Sequence, residues 1–457
     1  MAINRIPFLH FPSVLILGSL LLFSISLYPH ELSLEQEPPL LAQEKPKEQF
    51  RVVTGYEKVK ADLLSKEGSF LEVNFPEKTI RGYTNGSVEK ETSILAIGDP
   101  QGWGGTPAGL YSVLSGYELG FSSIARVYMP WAMQFYGKYY LHGEPYYPGG
   151  QKRITDVTGG CVQSSDQDAK TMFEFASVGM PVLVIDHENV PYEFTRELDL
   201  PFPALSAASY LVVDLDSGQV LAEKDALATR PVASLTKLMA AVVVVEQSDL
   251  RKSITVRPSM LEAYGSTEGL TKGKSFRLVE LLYPMLIESS NDAAETVSGF
   301  LGRARTIELM NEKAKAISMN SSGFVDPSGF EKENVSSAED IFRLLRYIYY
   351  NRPPILEITK GKEVNAFGDV RFTDLESKNI FADHSWFMGG KTGFIKASGY
   401  TGAFLFRIPI NGKERTFAVV LLGSVAYLGD QSTKSETERV VSWIVESFSK
   451  EYTEAYE

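Results

Sequence analysis

Three short motifs in the second half of the chain contain the residue types that amide-bond chemistry requires. They are Ser234-Leu-Thr-Lys237, Ser289-Ser-Asn291 and Lys391-Thr-Gly393. Each motif alone is a weak signal, but the three in this order, each in a suitable local context, predict a serine acyl-transfer site. The chemistry is attack of a serine hydroxyl on a carbonyl carbon, which needs an adjacent base and donors for the oxyanion.

The first motif supplies a nucleophile and a base. Ser234 and Lys237 lie in the apolar segment 232–245, which is predicted to be a buried helix opened by Pro231. Positions i and i+3 share a helix face, so the amine lies one turn from the hydroxyl. A lysine serves as a base only when burial or a second cation lowers its pKa, and Lys391 is the candidate cation. The Ser234 amide, close to a helix start, is a candidate oxyanion donor.

The other two motifs supply the remaining polar groups. Ser289 and Asn291 follow the apolar run 278–287 and precede a helical stretch that starts at Asp292. We therefore expect them on a tight connection facing a cleft, where they relay a proton and hydrogen-bond a substrate amide. Gly393 has no side chain, so an extended substrate can approach the backbone there.

Residues from about 205 to 450 resemble the penicillin-binding serine D,D-peptidases, specifically the low-molecular-mass D-alanyl-D-alanine carboxypeptidases. The segments that carry the resemblance are Ala233–Met239, Ser289–Ala293, Gly390–Gly393, the turn Asp326–Phe330 and the hairpin Val212–Leu221. The resemblance implies an α/β (α+β) fold with an antiparallel sheet and a helical subdomain. It also implies that β-lactams act as inhibitors.

The resemblance assigns a role to each matched residue. It implies Ser234 as nucleophile, Lys237 as base, Ser289 and Asn291 as relay and substrate contact, Lys391 with Thr392 as the carboxylate-recognition pair, Gly393 as substrate-binding backbone, and the Phe394 backbone as a second oxyanion donor. The family often has a basic residue near the C-terminal strand that helps to hold the substrate carboxylate. The segment 426–434 contains no arginine, so this sequence departs from the family there.

Other functions of the serine site stay open. Class A β-lactamases share the three motifs but need a glutamate-asparagine loop for deacylation, and residues 331–334 are the one candidate for it between Asn291 and Lys391. D,D-endopeptidase activity uses the same motifs, so the motifs do not distinguish it from carboxypeptidase activity. The width of the cleft decides between the two. A binding role with one or both sites silent is a further alternative.

The single cysteine is the second chemical signal. Cys161 lies in Thr158-Gly-Gly-Cys-Val-Gln163, ahead of a helical stretch 166–176, and His142 lies upstream after an aromatic-rich run. A thiol close to a helix start and an imidazole has a lowered pKa, so we expect a reactive thiolate with His142 as general base.

Residues from about 68 to 187 resemble the L,D-transpeptidase catalytic domain. The matching segments are Thr106–Tyr111, Leu141–Gly143, Thr158–Val162 and Gly179–Val184. The resemblance implies a mainly-β domain with Cys161 as nucleophile and His142 as base, Gly143 orienting the imidazole through its carbonyl, and amides near Gly160 and Cys161 forming the oxyanion hole. Two positions depart from the family: Gly159 replaces a frequent histidine, and Gln163 replaces an arginine or asparagine and keeps only a hydrogen-bond donor. A catalytically inactive domain retained for wall binding is the alternative.

Composition and the N-terminus limit the setting. The chain has 457 residues, a net charge of −12 and no dense basic patch, so nucleic acid is not expected as a partner. Ligand spacing for metals and a phosphate-binding loop are absent from the sequence, so we expect no cofactor. Residues 8–28 are almost uninterruptedly apolar, with Arg5 before them and acids after them, which predicts a membrane anchor. A cleaved signal peptide is the alternative, and either places the catalytic parts outside the cytoplasm.

The sequence thus predicts a multidomain enzyme. We expect a membrane anchor or signal peptide at 1–28, a tether at 29–66, an L,D-transpeptidase-like domain at 67–187, a linker at 188–208 and a D,D-carboxypeptidase-like domain at 209–450. The expected substrates are peptidoglycan stem peptides: the serine site would trim D-Ala-D-Ala stems, and the cysteine site would use the resulting tetrapeptides for 3→3 crosslinks. Fusion of the two would raise the local concentration of the donor.

Overall fold

The structure is a computed structural model that describes residues 55–188, 190–192, 200–262, 269–372, 374–410, 412–425 and 432–449. The predicted membrane segment 8–28 and most of the predicted tether lie outside these residues, as does the segment 426–431. Within the described ranges, no helix combines the length and apolarity needed to cross a bilayer. Residues 49–457 form one compact unit.

The N-terminal part consists mainly of short strands. Its elements are α1 (Tyr56–Leu64), β1 (Ser69–Asn74), β2 (Thr79–Thr84), β3 (Ser87–Ser93), β4 (Ile97–Gly98), β5 (Gly109–Ser112), β6 (Ser115–Ser122), β7 (Val127–Tyr136), β8 (Tyr139–His142), β9 (Val157–Thr158), β10 (Val162–Gln163), α2 (Asp166–Phe175) and β11 (Pro181–Ile185).

Two sheets organise this part. One has the order β3-β2-β1-β11-β5, in which β1 and β11 are parallel; the other has the order β10-β8-β7-β6, in which β10 and β8 are parallel. The parallel pair sets Gln163 opposite His142, so the strand that follows Cys161 lies beside the strand that ends at the histidine. Helix α2 starts where the Ser165 hydroxyl accepts a hydrogen bond from the Asp168 amide, and it packs on β7.

The C-terminal part alternates helices and strands. Its elements are β12 (Ser209–Asp214), β13 (Val220–Lys224), β14 (Arg230–Pro231), α3 (Thr236–Gln247), β15 (Ser253–Thr255), β16 (Ser275–Arg277), α4 (Leu278–Leu286), α5 (Asn291–Ser298), α6 (Arg303–Ala316), β17 (Val335–Ser336), α7 (Ala338–Asn351), α8 (Pro353–Thr359), β18 (Phe387–Ile395), β19 (Gly399–Ile410), β20 (Lys413–Ser424) and α9 (Ser432–Ser449), with short 3₁₀ turns at Ala233–Leu235 and Pro258–Met260.

An antiparallel five-stranded sheet, β13-β12-β20-β19-β18, forms the centre of this part. Successive residues of β19 face opposite sides, as strand geometry requires: Phe404 and Phe406 pack with α9, whereas Ala403 and Leu405 join the core that contains α3 and α7. Because both faces are covered, the middle of each central strand is apolar at every position, from Ala403 to Phe406 in β19 and from Phe417 to Leu422 in β20.

A buried ionic cluster joins the two parts. Glu246, at the end of α3, contacts Lys313 Nζ at 3.0 Å and Arg352 Nη2 at 3.0 Å, and all three side chains are fully buried. Lys313 also donates to the hydroxyl of Tyr111 in β5 at 2.8 Å, and Arg352 donates to the Gly105 carbonyl at 2.8 Å. These contacts attach the N-terminal strands and the loop before β5 to α3 and α6.

The predicted fold class, a mainly-β first domain and an α+β second domain, is confirmed, whereas the exact domain boundaries stay a prediction. Between the two parts of the first domain's sheets, β3 ends at Ser93 and β4 begins at Ile97. The chain changes sheets here, because Leu95 donates its backbone N–H to the Gln163 carbonyl at 2.7 Å instead of continuing along β2.

Candidate active sites

The serine motif begins in the 3₁₀ turn before α3 and continues into its first turn. Lys237 is completely buried, and its Nζ lies 2.9 Å from Ser234 Oγ, 2.6 Å from Asn291 Oδ1 and 2.5 Å from the Ser328 carbonyl oxygen. The structure therefore brings the predicted nucleophile, base and amide together. The Asn291 side chain can reach Lys237 because Ser290, and not Asn291, caps α5 by accepting from the Ala293 amide.

The surroundings of Lys237 favour its neutral form. Burial lowers its pKa well below the usual value, and the nearby Lys391 charge lowers it further. Two of its partners, the Asn291 amide oxygen and the Ser328 carbonyl, accept only. A neutral amine satisfies both with its two N–H groups and leaves its lone pair for the Ser234 hydroxyl. The hydrogen-bond partners of Lys237 are thus those that a base for Ser234 requires.

The third motif lies in the edge strand β18. Lys391 is buried, and its Nζ donates to Ser289 Oγ at 2.9 Å and to the Thr392 carbonyl at 2.9 Å. Burial lowers its pKa to about 7. Ser289 adopts a left-handed conformation (φ 64°), which occurs at the sharp connection that the sequence predicted between α4 and α5. The Thr392 hydroxyl donates to the Lys378 carbonyl at 3.1 Å.

The backbone of β18 passes very close to the nucleophile. A Cβ placed on Gly393 would lie 2.8 Å from the Ser234 amide nitrogen and 3.1 Å from Ala233 Cβ, so only glycine fits. The two predicted oxyanion donors, the amides of Ser234 and Phe394, therefore come from segments in direct contact. The Phe394 side chain is exposed and packs on Tyr400, with ring centroids 4.5 Å apart.

A buried turn at 326–331 packs against the backbone of Ala233, next to the nucleophile, and this role was not predicted. The Asp326 carboxylate accepts hydrogen bonds from the backbone amides of Ser328, Gly329 and Glu331 at 2.7, 2.6 and 2.9 Å. This arrangement presents the Ser328 carbonyl to Lys237. Gly329 is left-handed (φ 81°), and a Cβ on it would lie 2.0 Å from the Ala233 carbonyl oxygen. The sequence signal was the Asp-Pro-Ser-Gly turn.

The candidate deacylation loop of the β-lactamase alternative has a structural role instead. Asn334 is completely buried, and its Oδ1 accepts from the Val325 and Asp326 amides at 3.0 and 3.3 Å. Its Nδ2 donates to Asp326 and to the Glu331 carbonyl. All of its hydrogen-bonding capacity thus serves the turn, and the Glu331 side chain is exposed.

The predicted cysteine site forms a cavity of about 500 Å³ that Cys161, His142 and Gln163 all line. His142 Nδ1 donates to the Gly143 carbonyl at 2.6 Å, the orienting contact that the resemblance implied. This hydrogen bond leaves Nε2 as the basic nitrogen. The Cys161 thiol lies 4.0 Å from the Lys138 carbonyl oxygen.

The expected thiolate is not supported. Burial raises the pKa of the Cys161 thiol to about 11, and burial lowers the pKa of His142 to about 4. The helix start invoked for the thiolate is also too far along the chain, since α2 begins at Asp166 and is capped by Ser165. The resting pair is therefore a neutral thiol and a neutral imidazole, and the proton must move during the attack on substrate.

Two further expectations for this site are refined. The Gly160 amide donates to Thr158 Oγ1 at 3.1 Å and is not free for an oxyanion, which leaves the Cys161 amide as the candidate donor. Gln163 is buried, and its Oε1 has no hydrogen-bond partner among the described residues. Gly160 (φ 110°) has no room for a Cβ, which would lie 2.3 Å from the Tyr139 ring.

The C-terminal part completes the cysteine cavity, which the sequence did not reveal. The lining residues from this part come from the end of α3, from the segment that follows it and from one position much later in the chain. They are Val245, Ser248, Asp249, Leu250, Arg251 and Phe367. Lys138 connects the two sides, because its ammonium donates to the Ser248 carbonyl at 2.6 Å while its own carbonyl faces the thiol. Burial lowers the pKa of Lys138 to about 8. Helix α3 thus begins at the serine site and ends in the wall of the cysteine site.

A serine paired with a buried lysine, a second lysine on an edge strand and an antiparallel sheet behind them together define an active-serine acyl-transfer enzyme. Comparison with known families agrees with this class. The D-alanyl-D-alanine carboxypeptidase family (peptidase S11) matches residues 197–424, and the L,D-transpeptidase catalytic domain family (YkuD) matches residues 68–184. The chain belongs to the D-alanyl-D-alanine carboxypeptidase family and carries an L,D-transpeptidase catalytic domain ahead of it.

Individual relatives each match about half of the chain. The D-alanyl-D-alanine carboxypeptidase DacB2 of Mycobacterium tuberculosis is 30% identical over 207 residues, which are 44% of this chain and 71% of the relative. A D-alanyl-D-alanine endopeptidase of Haemophilus influenzae is 31% identical over 241 residues, which are 51% of this chain and 81% of the relative. A crystal structure of a D-alanyl-D-alanine carboxypeptidase from M. tuberculosis aligns with a TM-score of 0.48 and 27% identity, covering 53% of this chain and 92% of that one.

Proposed function

We propose that the serine site removes the terminal D-alanine from peptidoglycan stem peptides that end in D-Ala-D-Ala. The observation that carries this proposal is the buried Lys237 within 2.9 Å of Ser234 Oγ, with Lys391 on the facing strand. The neutral Lys237 amine takes the Ser234 proton while Oγ attacks the carbonyl of the penultimate residue. The amides of Ser234 and Phe394 hold the oxyanion, and Lys391 with Thr392 receives the terminal carboxylate.

Breakdown of the tetrahedral adduct returns the proton to the leaving amine, so D-alanine departs and an ester remains on Ser234. Water then attacks the ester carbonyl, with Lys237 accepting its proton, and releases the tetrapeptide. Ser289 and Asn291 each hydrogen-bond one of the two lysines, which suits a proton relay and a substrate contact. β-lactams, whose carbonyl and carboxylate imitate the substrate, would acylate Ser234 and act as inhibitors.

The cysteine site would use those tetrapeptides. His142 Nε2 takes the thiol proton as Cys161 attacks the carbonyl before the last D-alanine, which leaves with a proton from the imidazolium. The resulting thioester passes its acyl group to an amine on a neighbouring stem, which forms a 3→3 crosslink. The thiol regains a proton that the attacking amine loses.

The test follows the two reactions in one chain. Muropeptides that contain only pentapeptide stems are incubated with the wild type, Ser234→Ala and Cys161→Ala, and the products are identified by mass spectrometry. The wild type should form 3→3 crosslinks, Ser234→Ala should leave pentapeptides unchanged, and Cys161→Ala should stop at tetrapeptides. If Ser234→Ala crosslinks pentapeptides as well as the wild type does, the coupled sequence of reactions is wrong.

An inactive first domain retained for wall binding predicts a different result. In that case Cys161→Ala would leave all products of the wild type intact, and a carbapenem would fail to acylate Cys161 in the wild type. Fluorescent penicillin labelling of Ser234 would be unaffected. The cavity at Cys161 and the orientation of His142 by Gly143 favour a catalytically active first domain.

D,D-endopeptidase activity on existing crosslinks is the second candidate, because a relative with 31% identity bears that name. Incubation with purified 4→3 crosslinked dimers distinguishes it: an endopeptidase releases monomers, whereas a strict carboxypeptidase does not. Both activities place the chain outside the cytoplasm, where the wall polymer lies. We propose residues 8–28 as its membrane anchor or signal peptide, and the boundaries near 67, 188 and 209 as those of its domains.

A further inference from the structure

Three basic side chains line the cavity at Cys161, and two of them are already engaged. Lys138 donates to the carbonyl of Ser248. Arg251 donates from Nε and Nη2 to the two carboxylate oxygens of Asp249 at 2.8 and 2.9 Å. Arg153 also lines the cavity, and its guanidinium has no hydrogen bond or ion pair among the described residues. It is therefore the cationic group in the cavity that is available to a ligand.

Backbone contacts hold Arg153 at this position. Its N–H donates to the Pro145 carbonyl at 2.8 Å, and the adjacent bridges Tyr146–Lys152 and Tyr128–Tyr146 attach the loop to β7. The guanidinium is half-buried, and its charge acts on both catalytic groups, lowering the pKa of His142 and of Cys161. Asp249, the acidic residue that lines the same cavity, is taken by Arg251.

We propose that Arg153 binds the C-terminal carboxylate of the tetrapeptide donor, one residue beyond the bond that Cys161 attacks. A guanidinium matches a carboxylate with two parallel hydrogen bonds, and the departing D-alanine is the residue that carries this group. In a pentapeptide the carboxylate lies one residue further out, about 3.5 Å away, so it misses Arg153 when the scissile carbonyl is in place. The inference rests on the proposed L,D-transpeptidase reaction and explains why the product of the serine site is the right substrate.

The first test measures the charge at the thiol without any peptide. Cys161 is alkylated with iodoacetate, which is anionic, and with iodoacetamide, which is neutral and of similar size. Arg153→Gln should lower the iodoacetate rate about tenfold relative to the iodoacetamide rate. Lys152→Gln is the matched control, because the adjacent Lys152 is exposed and paired with Glu144 and does not line the cavity. An unchanged ratio in Arg153→Gln overturns the anion site.

The second test uses tetrapeptide donors with a free or an amidated C-terminus in the Ser234→Ala background. With the free acid, Arg153→Gln should raise KM about 10- to 100-fold, whereas with the amide it should leave KM at the wild-type value; a change in kcat from the lost charge near the thiol should be equal on the two donors. An equal rise of KM on both donors contradicts carboxylate recognition and indicates a structural effect. If the alkylation ratio changes but no variant forms crosslinks, the anion site stands and the proposed transpeptidase reaction fails.

Discussion

Replacement of Gly393 by alanine tests the geometry of the serine site without removing any catalytic side chain. The new Cβ would lie 2.7 Å from Thr401 Oγ1 and 2.8 Å from the Ser234 amide nitrogen. Ordinary contact requires about 3.4 Å, so β18 and the nucleophile turn must separate by roughly half an ångström, which displaces both oxyanion donors. Loss of one such donor costs about 10²–10³ in rate, so acylation of Ser234 should fall by that factor.

The assay is the second-order rate of labelling by a fluorescent penicillin, with thermal unfolding measured in parallel. Gly323→Ala is the matched control in the same domain, because its Cβ would meet only Val335 at 3.8 Å and its backbone is not left-handed. We expect Gly323→Ala to label at the wild-type rate and Gly393→Ala to keep a cooperative melting transition. Labelling of Gly393→Ala within about threefold of the wild type would refute the proposed oxyanion site.

Three more predictions follow from buried ionisable groups. Alkylation of Cys161 by iodoacetamide should accelerate about tenfold per pH unit between pH 7 and 10, because its pKa is raised to about 11; a plateau near pH 8 would contradict this. The Lys391 ammonium is lost as the pH rises through about 7, so penicillin acylation should fall on the alkaline side, and Lys391→Arg should flatten that limb. Glu246→Leu leaves Lys313 and Arg352 buried without their carboxylate, and it should lower the free energy of unfolding in urea by about 3–5 kcal/mol; a loss below 1 kcal/mol would argue against the cluster.

The serine site could be predicted from the sequence because its parts are local motifs with a defined order. Ser234 and Lys237 are separated by one helical turn, and Gly393 is required by a close backbone approach that no other residue tolerates. The role of the Ser328 carbonyl was not visible, since a backbone group leaves no signature in residue type.

The electrostatics of the cysteine site could not be read from the sequence. A thiol near a helical stretch and an imidazole suggested a thiolate, but burial raises the pKa of Cys161 and outweighs the nearby charges of Lys138 and Arg153, which lower it. Burial is a property of the assembled chain, and here part of it comes from Val245 and Ser248, which are more than 80 residues downstream. The motifs of the two domains lie in separate parts of the sequence and carry no signal of this shared wall.

Helix α3 contributes residues to both catalytic sites. Its first turn holds Lys237 directly after the turn that carries Ser234, its last turn places Glu246 against Lys313 and Arg352, and the residues after it line the cavity around the thiol. Separation of the two halves within 188–208 would expose the cluster of Glu246, Lys313 and Arg352 to water and would remove one wall of the cavity at Cys161. We therefore expect that neither half retains its native structure and activity when it is produced alone. An inhibitor that fills the cavity at Cys161 would also contact the C-terminal end of α3, the helix that follows Ser234.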